Sequence, residues 1–344
     1  MLKSMLAGIV IVATCAVAAL QSQGAGRGGG QAARPEFPTA KQFAESKDAQ
    51  AHVAAAMKIG GSDMAAEAKW FCTATGPQRV ALARQAAGLP RIPTEPVGPI
   101  KLFDNLYYVG FNDVGAWAVP TSAGIILFDT LNSTADATNV IEPEMKKAGL
   151  DPAQIKYVLL GHGHNDHTGG ASYLQTKYGA KVLAAMPDWD AIARAVRPDR
   201  PQAKPDMDVT DGEKLTLGDT TVTLVRLPGH TPGTIGMVVP AKFKGQTHMV
   251  MIMSGTQMPT QESLDSFKHV FTDYAKAQRV ETFLGSHPDI LMNSLTAMEG
   301  VRDNYPTGNH PLLMSAAKAG RYSDIMLECA RARLAAMATA GGSQ

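Results

Sequence analysis

Between residues 162 and 167 the chain reads His162-Gly163-His164-Asn165-Asp166-His167, which puts four potential metal ligands within six residues. Two histidines two positions apart in extended backbone project to the same side, so His162 and His164 can grip one ion at the roughly 2.0–2.1 Å that zinc–nitrogen bonds require. Asp166 and His167 stand at the turn into a helix and can face a neighbouring ion. An ion held by two histidines alone is incomplete, because a catalytic zinc takes a third protein ligand and leaves its fourth place to water. His230, in Gly229-His230-Thr231-Pro232-Gly233, is the candidate for that place, although by itself a histidine beside Pro-Gly reads as a turn residue. His287, in Gly285-Ser286-His287-Pro288, is the remaining candidate; its blander reading is a loop histidine held by the proline after it. His52, His248, His269 and His310 have no companion at ligand spacing and read as solvent-facing or locally hydrogen-bonded. With no Gly-x-Ser-x-Gly elbow in the chain, the chemistry these residues point to is metal-assisted hydrolysis.

Such side chains need rigid elements behind them. The apolar run Ile155 to Leu160 ahead of His162 reads as a strand, Ala171 to Tyr178 behind His167 as a helix, and Lys181 to Ala184 as the next strand. Earlier strands are expected at Ile100 to Val109, Ala116 to Val119 and Ile125 to Phe128, followed by a helix from about Ala135 to Ala148. The second half repeats the theme with strands Lys214 to Leu217, Thr221 to Leu227, Thr234 to Val239, Met249 to Met253 and Thr282 to Leu284, and a helix near Ser263 to Gln278. Runs of strands with helices between and after them predict two sheets face to face with helices outside.

The totals are those of an ordinary globular chain: 344 residues, 45% hydrophobic, 18% charged, with Lys+Arg 32 against Asp+Glu 31. They exclude disorder and collagen-like architecture. A net charge of +1 leaves no large basic excess to neutralise phosphates, so the expected partner is a small-molecule substrate and not nucleic acid. Lys3 ahead of the uncharged run Met5 to Leu20, with small residues at Ala16, Ala18 and Ala19, reads as a signal peptide over residues 1–24. That run is short for a membrane span, and no other stretch is long and apolar enough to be one. Thr14 before Cys15 fits a lipid-attachment site poorly, so soluble export to a periplasmic or secreted location is expected. Export implies an oxidising compartment, and a disulfide between Cys72 and Cys329 is expected there, the alternative being two buried thiols. Residues 25–98 read as a helical extension, with stretches Thr39 to Met57, Met64 to Cys72 and Gln78 to Ala87, ending in a linker that holds Pro90, Pro93, Pro96 and Pro99. Residues 99–333 form the main domain, and 334–344 a small, polar, disordered tail.

Taken together, these motifs resemble the metallo-β-lactamase fold superfamily from about Ile100 to the helices after His287. The resemblance implies a mixed α/β (α+β) fold, a four-layer αββα sandwich with a metal site along one edge of its packed sheets. It implies two zinc ions per chain, the first on His162, His164 and His230 and the second on Asp166, His167 and His287, with Asp129 orienting the site from behind. Lactonases, glyoxalase-like thioesterases and phosphodiesterases of the superfamily carry a bridging Asp after the strand corresponding to Met249 to Met253, and first-subclass β-lactamases a Cys; this chain has Ser254. Lacking both while keeping the other six ligands, it is most similar to the third subclass of class B β-lactamases. Phe103-Asp104-Asn105-Leu106-Tyr107-Tyr108-Val109-Gly110 and Asp188-Trp189-Asp190 are similar to stretches of exported members. The implied activity is antibiotic resistance through opening of the β-lactam amide by a hydroxide bridging two zincs about 3.5–4 Å apart, with Asp166 as catalytic residue, both ligating and orienting that hydroxide. Two departures bear on the substrate. Gly255, Thr256 and Gln257 replace serines that help bind the substrate carboxylate, and His287 leads into Pro288-Asp289-Ile290 instead of a Gly-rich aromatic loop. A second expectation is therefore the same centre opening a lactone or ester. A third, a binding protein that has kept the fold and lost its metal, is opposed by the six intact ligands.

Overall fold

Val, Ile, Leu, Met and aromatic residues fill both faces of most strands, the pattern of sheets covered on each side. In the computed structural model, which describes residues 37–72, 94–195, 201–255, 257–288 and 294–338, these strands build two sheets. The first runs in chain order: β1 (Ile100–Phe103), β2 (Leu106–Gly110), β3 (Gly115–Thr121), β4 (Gly124–Phe128), β5 (Ile155–Leu159), β6 (Lys181–Ala184) and β7 (Met207–Asp208). It is antiparallel as far as β4 and parallel from β4 to β7. The second has the order β12 (Val280–Gly285), β11 (Gln246–Met253), β10 (Ile235–Phe243), β9 (Thr220–Arg226), β8 (Lys214–Leu217), with only β11 and β12 parallel.

Alternate residues separate the layers. Trp117, Val119, Ile126 and Phe128 of the first sheet meet Leu224, Ile235, Met237, Val250 and Ile252 of the second in the central core. Their neighbours Ala116, Ala118, Ile125 and Leu127 face the other way, against Val140, Ile141, Leu174 and Ile192 from helices spanning 134–147, 171–178 and 186–194. The outer face of the second sheet, with Val225, Val238, Met251 and Met253, is covered by Phe267 and Phe271 of a helix over 261–277. The same cluster takes in Ala56, Ala68 and Phe71 from the helices Lys47–Gly60 and Ala65–Cys72, and Tyr322 and Met326 from the helix Ala316–Ala338. This is the expected αββα sandwich.

Three details differ from the sequence expectations. The run Ile100 to Val109 is a hairpin and not one strand: Asn105 bonds the backbone of Pro240 and Lys242 at 3.1 and 2.6 Å, which fixes a turn between β1 and β2. The helix Ala316–Ala338 runs beyond residue 334, where its own Ala336 is fully buried, so the first part of the expected tail is helical. A helix over Met186–Arg194 had no counterpart in the sequence reading; Asp188, Trp189 and Ile192 form its buried face. The signal-peptide reading over 1–24, Cys15, the expected helix Gln78 to Ala87, Pro90, Pro93, and the tail from 339 onward lie outside the described residues.

Cys72 and Cys329 are joined by a disulfide across a sequence separation of 257 residues. It ties the helix Ala65–Cys72 to the helix Ala316–Ala338. One turn further on, the buried Arg333 donates to the Phe71 carbonyl and to Gln257 Oε1, each at 2.8 Å. On the opposite face of the sandwich, the buried Glu144 accepts from the amide of Gly110 at 2.7 Å through Oε2, while its Oε1 has no partner among the described residues. Burial outweighs the hydrogen bonds from Gly110 and Gly98 and pushes this carboxyl up to about 7.

Removing the disulfide as Cys72→Ser/Cys329→Ser is expected to cost roughly 3–5 kcal/mol of stability by restoring chain freedom to the unfolded state. Urea unfolding checks this, and in denatured, unreduced wild type a thiol reagent should leave Cys72 and Cys329 unlabelled. For Glu144 the unfolded carboxyl titrates near 4.3, so between about pH 4.5 and 7 the folded state holds more protons and stability falls as pH rises. Glu144→Gln keeps an acceptor for Gly110 and removes the charge. It is expected to flatten that fall and to exceed wild type at pH 8 by on the order of 2–3 kcal/mol. Denaturant midpoints at pH 5 and 8 decide; parallel profiles in the two proteins would contradict it.

Candidate metal centre

The candidate ligands leave the ends of strands along one edge of the sandwich, as ligand-binding groups in open sheets tend to do. Asp129 follows β4, His162 follows β5, His230 lies in the loop from β9 to β10, Ser254 follows β11, and Ser286 and His287 follow β12. Asp166 and His167 are presented by a single helical turn, Asn165–Thr168. A backbone bond from Ile235 to the Gly161 carbonyl, 2.8 Å, joins the two sheets next to His162. Glycine is required at 161, since a β-carbon there would lie 2.2 Å from Ser254 Cβ.

His162, His164 and His230 present ligand atoms that all lie within 4.8 Å of one another. His164 Nδ1 is 2.9 Å from His162 Nε2 and 3.2 Å from His230 Nε2. Nitrogens tetrahedrally bound to one zinc lie about 3.3 Å apart, so these separations fit a shared cation. Burial, with the neighbouring imidazoles, holds His162 well below its usual pKa, which keeps it neutral as a ligand must be.

The second group forms around Asp166. Its Oδ2 lies 3.5 Å from His167 Nε2 and 3.4 Å from His287 Nε2. His162 also falls within 4.8 Å of Asp166 and His167, so the two groups adjoin at that residue. Burial opposes ionisation of Asp166, but the His167 and His287 imidazoles outweigh it and hold the carboxyl well below the usual range. Burial likewise pulls His167 down, yet Asp129 and Asp166 prevail and hold it at about 10. His167 Nε2 is fully buried with no hydrogen-bond partner among the described residues. A buried polar atom left so, aimed at a carboxylate, is what a divalent cation in place of the proton would satisfy. The six side chains thus fit a metal centre.

The far sides of the rings are fixed as firmly as the near ones. His167 Nδ1 donates to Asp129 Oδ2 at 2.7 Å, and His287 Nδ1 to the Asp113 carbonyl at 2.6 Å, which leaves each Nε2 facing Asp166. Asp129 Oδ1 accepts from Gly161 N at 2.6 Å, and its Oδ2 also takes the hydroxyls of Ser286 and Ser254. Ser254 donates at 3.3 Å and accepts from His162 Nδ1 at 2.9 Å, so it belongs to the supporting network and does not point at the ligand atoms. Asp129 itself is fully buried with φ +68°, a left-handed conformation seldom taken by non-glycine residues and found where function demands it.

All six side chains nominated by the sequence therefore meet at one edge, and Asp129 stands behind them. Three contributors were missed as site residues. Ser286 and the Asp113 carbonyl act through hydrogen bonds that leave no spacing signature. Asp188 is buried against Gly163, Thr231 and Gly233, and in the sequence it appeared only inside a short resembling phrase. Of the departures noted, Thr256 and residues 289–290 lie outside the described residues, and Gln257 is buried with its Oε1 on Arg333. A Ser-x-x-Lys spacing at Ser315 and Lys318 is a helix start, Ser315 Oγ accepting from Lys318 N at 3.3 Å on an exposed surface.

A family model described as the metallo-beta-lactamase superfamily matches residues 110–242. Among curated relatives, an N-acyl homoserine lactonase AttM of Azorhizobium caulinodans is 37% identical over 101 residues, covering 26% of this chain and 38% of the relative. A hydroxyacylglutathione hydrolase of Brucella anthropi is 26% identical over 153 residues, covering 41% of this chain and 54% of the relative. The chain thus spans about half the length, or less, of these relatives. Among solved structures, BJP-1, a subclass B3 metallo-beta-lactamase of Bradyrhizobium japonicum, superposes with TM-score 0.54 at 28% identity, covering 67% of this chain and 90% of that one. FEZ-1 metallo-beta-lactamase from Legionella gormanii, at 24% identity and TM-score 0.56 over 67% of this chain and 93% of its own, shares the fold.

Asp129→Asn would set an amide against the four donors that now converge on a carboxylate. Zinc affinity, read by competition with a chromogenic chelator, is expected to fall roughly 10–100-fold. Affinity within twofold of wild type would show that Asp129 does not orient the centre.

Proposed function

We propose that this metal-dependent hydrolase of the metallo-β-lactamase superfamily holds two zinc ions on His162, His164, Asp166, His167, His230 and His287, and opens the β-lactam amide ring outside the cytoplasm. The observation that carries the reading is the end of β11. Ser254 is turned back onto Asp129 and His162 Nδ1, so this strand contributes neither carboxylate nor thiolate to the ligand cluster. That is the feature by which the sequence resembles third-subclass β-lactamases more than lactonases, and BJP-1 is a structural neighbour of that subclass. The disulfide supports an oxidising compartment.

Bound zinc supplies a Lewis acid for the scissile carbonyl and lowers the pKa of water toward neutrality. The chain's own groups do the rest. His162, held neutral by its burial, would provide a lone pair on one side together with His164 and His230, and Asp129 and the Asp113 carbonyl fix the rings of His167 and His287 on the other. Asp166, kept ionised and half-exposed at the mouth of the cluster, accepts a hydrogen bond from the attacking water and aligns it with the carbonyl. No serine nucleophile enters.

A second reading keeps the centre and changes the substrate to a lactone or ester. Gln257, one of the residues standing where substrate-binding serines are expected, is buried against Arg333, so it offers nothing to a β-lactam carboxylate. The lactonase and hydroxyacylglutathione hydrolase among the relatives point the same way.

Purified, zinc-loaded protein is expected to hydrolyse nitrocefin and at least some penicillins, cephalosporins or carbapenems, to lose that activity with chelator, and to regain it with zinc. Intact β-lactams beside hydrolysed lactones or esters would replace the first reading by the second.

A further inference from the structure

We infer that Asp188 is a positioning residue for the metal centre: one buried carboxylate that locks the loop carrying His162 and His164 to the loop carrying His230, setting three ligands from two parts of the chain before a cation arrives. The inference rests on the metal-centre reading above.

Asp188 lies in the first turn of the helix Met186–Arg194 and is 1% exposed. Its Oδ2 accepts from Gly163 N at 2.7 Å and from Thr231 Oγ1 at 2.6 Å, and its Oδ1 accepts from Gly233 N at 2.8 Å. Gly163 is the residue between His162 and His164, while Thr231 and Gly233 follow His230. A single side chain thus holds the backbone at both loops, and across it His164 Nδ1 and His230 Nε2 come to 3.2 Å. The approach is built in, because a β-carbon at Gly233 would lie 2.4 Å from Asp188 Cγ. None of these partners is a cation, and a carboxylate buried on neutral donors alone is expensive unless those donors are well aimed. The first turn of the helix lowers that cost by directing its positive end at the carboxylate. A neutral residue could fill the same volume. What the carboxylate adds is acceptor capacity for three donors at once, which a side-chain amide lacks because one of its two heads donates. Loops fixed in this way need no ordering when the cation binds, so the benefit appears as affinity.

The test is Asp188→Asn, with the exposed neighbour Asp190→Asn as charge control, both compared with wild type as metal-free and loaded protein. Zinc affinity by chelator competition is expected to fall ten- to a hundred-fold in Asp188→Asn and to stay within twofold in Asp190→Asn. The absorption bands of the cobalt-substituted protein should shift, and in metal-free protein the Gly163 and Gly233 amides should exchange hydrogen faster. If Asp188→Asn fails to fold, Thr231→Val removes one donor and leaves the carboxylate; a several-fold loss of affinity with the same spectral shift is expected. Zinc affinity, cobalt spectrum and amide exchange all matching wild type would overturn the inference alone. A wild type that takes up no zinc overturns the metal-centre reading and this inference with it.

Discussion

The whole edge of the sandwich is organised around one buried carboxylate. Asp129 follows β4 in a left-handed conformation and gathers donors from the ends of three other strands: the Gly161 amide after β5, the Ser254 hydroxyl after β11, and the Ser286 hydroxyl after β12. It also receives His167 Nδ1. Strand ends in two separate sheets have no reason of their own to converge. A charge that cannot be left unpaired in the interior gives them one, and the same requirement fixes which nitrogen of His167 faces outward.

The ligands themselves were legible because they are clustered in sequence. Four fall within six residues, and the incomplete coordination of that group is what made His230 and His287 worth nominating. The sandwich was legible through strand length and apolar content. The groups that hold the ligands from behind were harder to read, since a carboxylate or hydroxyl that bonds backbone amides can stand anywhere along the chain. Asp188, twenty-one positions beyond His167, carries no spacing that relates it to His230, and the contact exists only once the helix Met186–Arg194 has buried Trp189 and Ile192 in the cluster on the outer face of the first sheet. The β1–β2 turn escaped for a different reason. Apolar residues continue on both sides of Asp104-Asn105, and what breaks the strand is a bond to β10 made far away in sequence.

The substrate question turns on packing more than on ligands. Arg333 reaches from the C-terminal helix to Gln257 and to the carbonyl of Phe71, next to the disulfide. Burial pulls its guanidinium down to about 10, and its Nε has no partner among the described residues, so the residue is held there at some cost. The segment after β11 is therefore committed to the protein interior at Gln257. This ties the position of Gln257 to the arrangement of the outer helices.

The cover on the second sheet also sets an order of events during synthesis. Its outer face is shared between helices near the start of the described chain and a helix that emerges from the ribosome long after them, and the cysteines that join the two are separated by 257 residues. Until the later helix arrives, Met251, Met253, Phe271 and Phe283 have only part of their apolar shield. This part of the core is therefore complete only once an element distant in sequence has docked, a contact of high sequence separation that is slow to form.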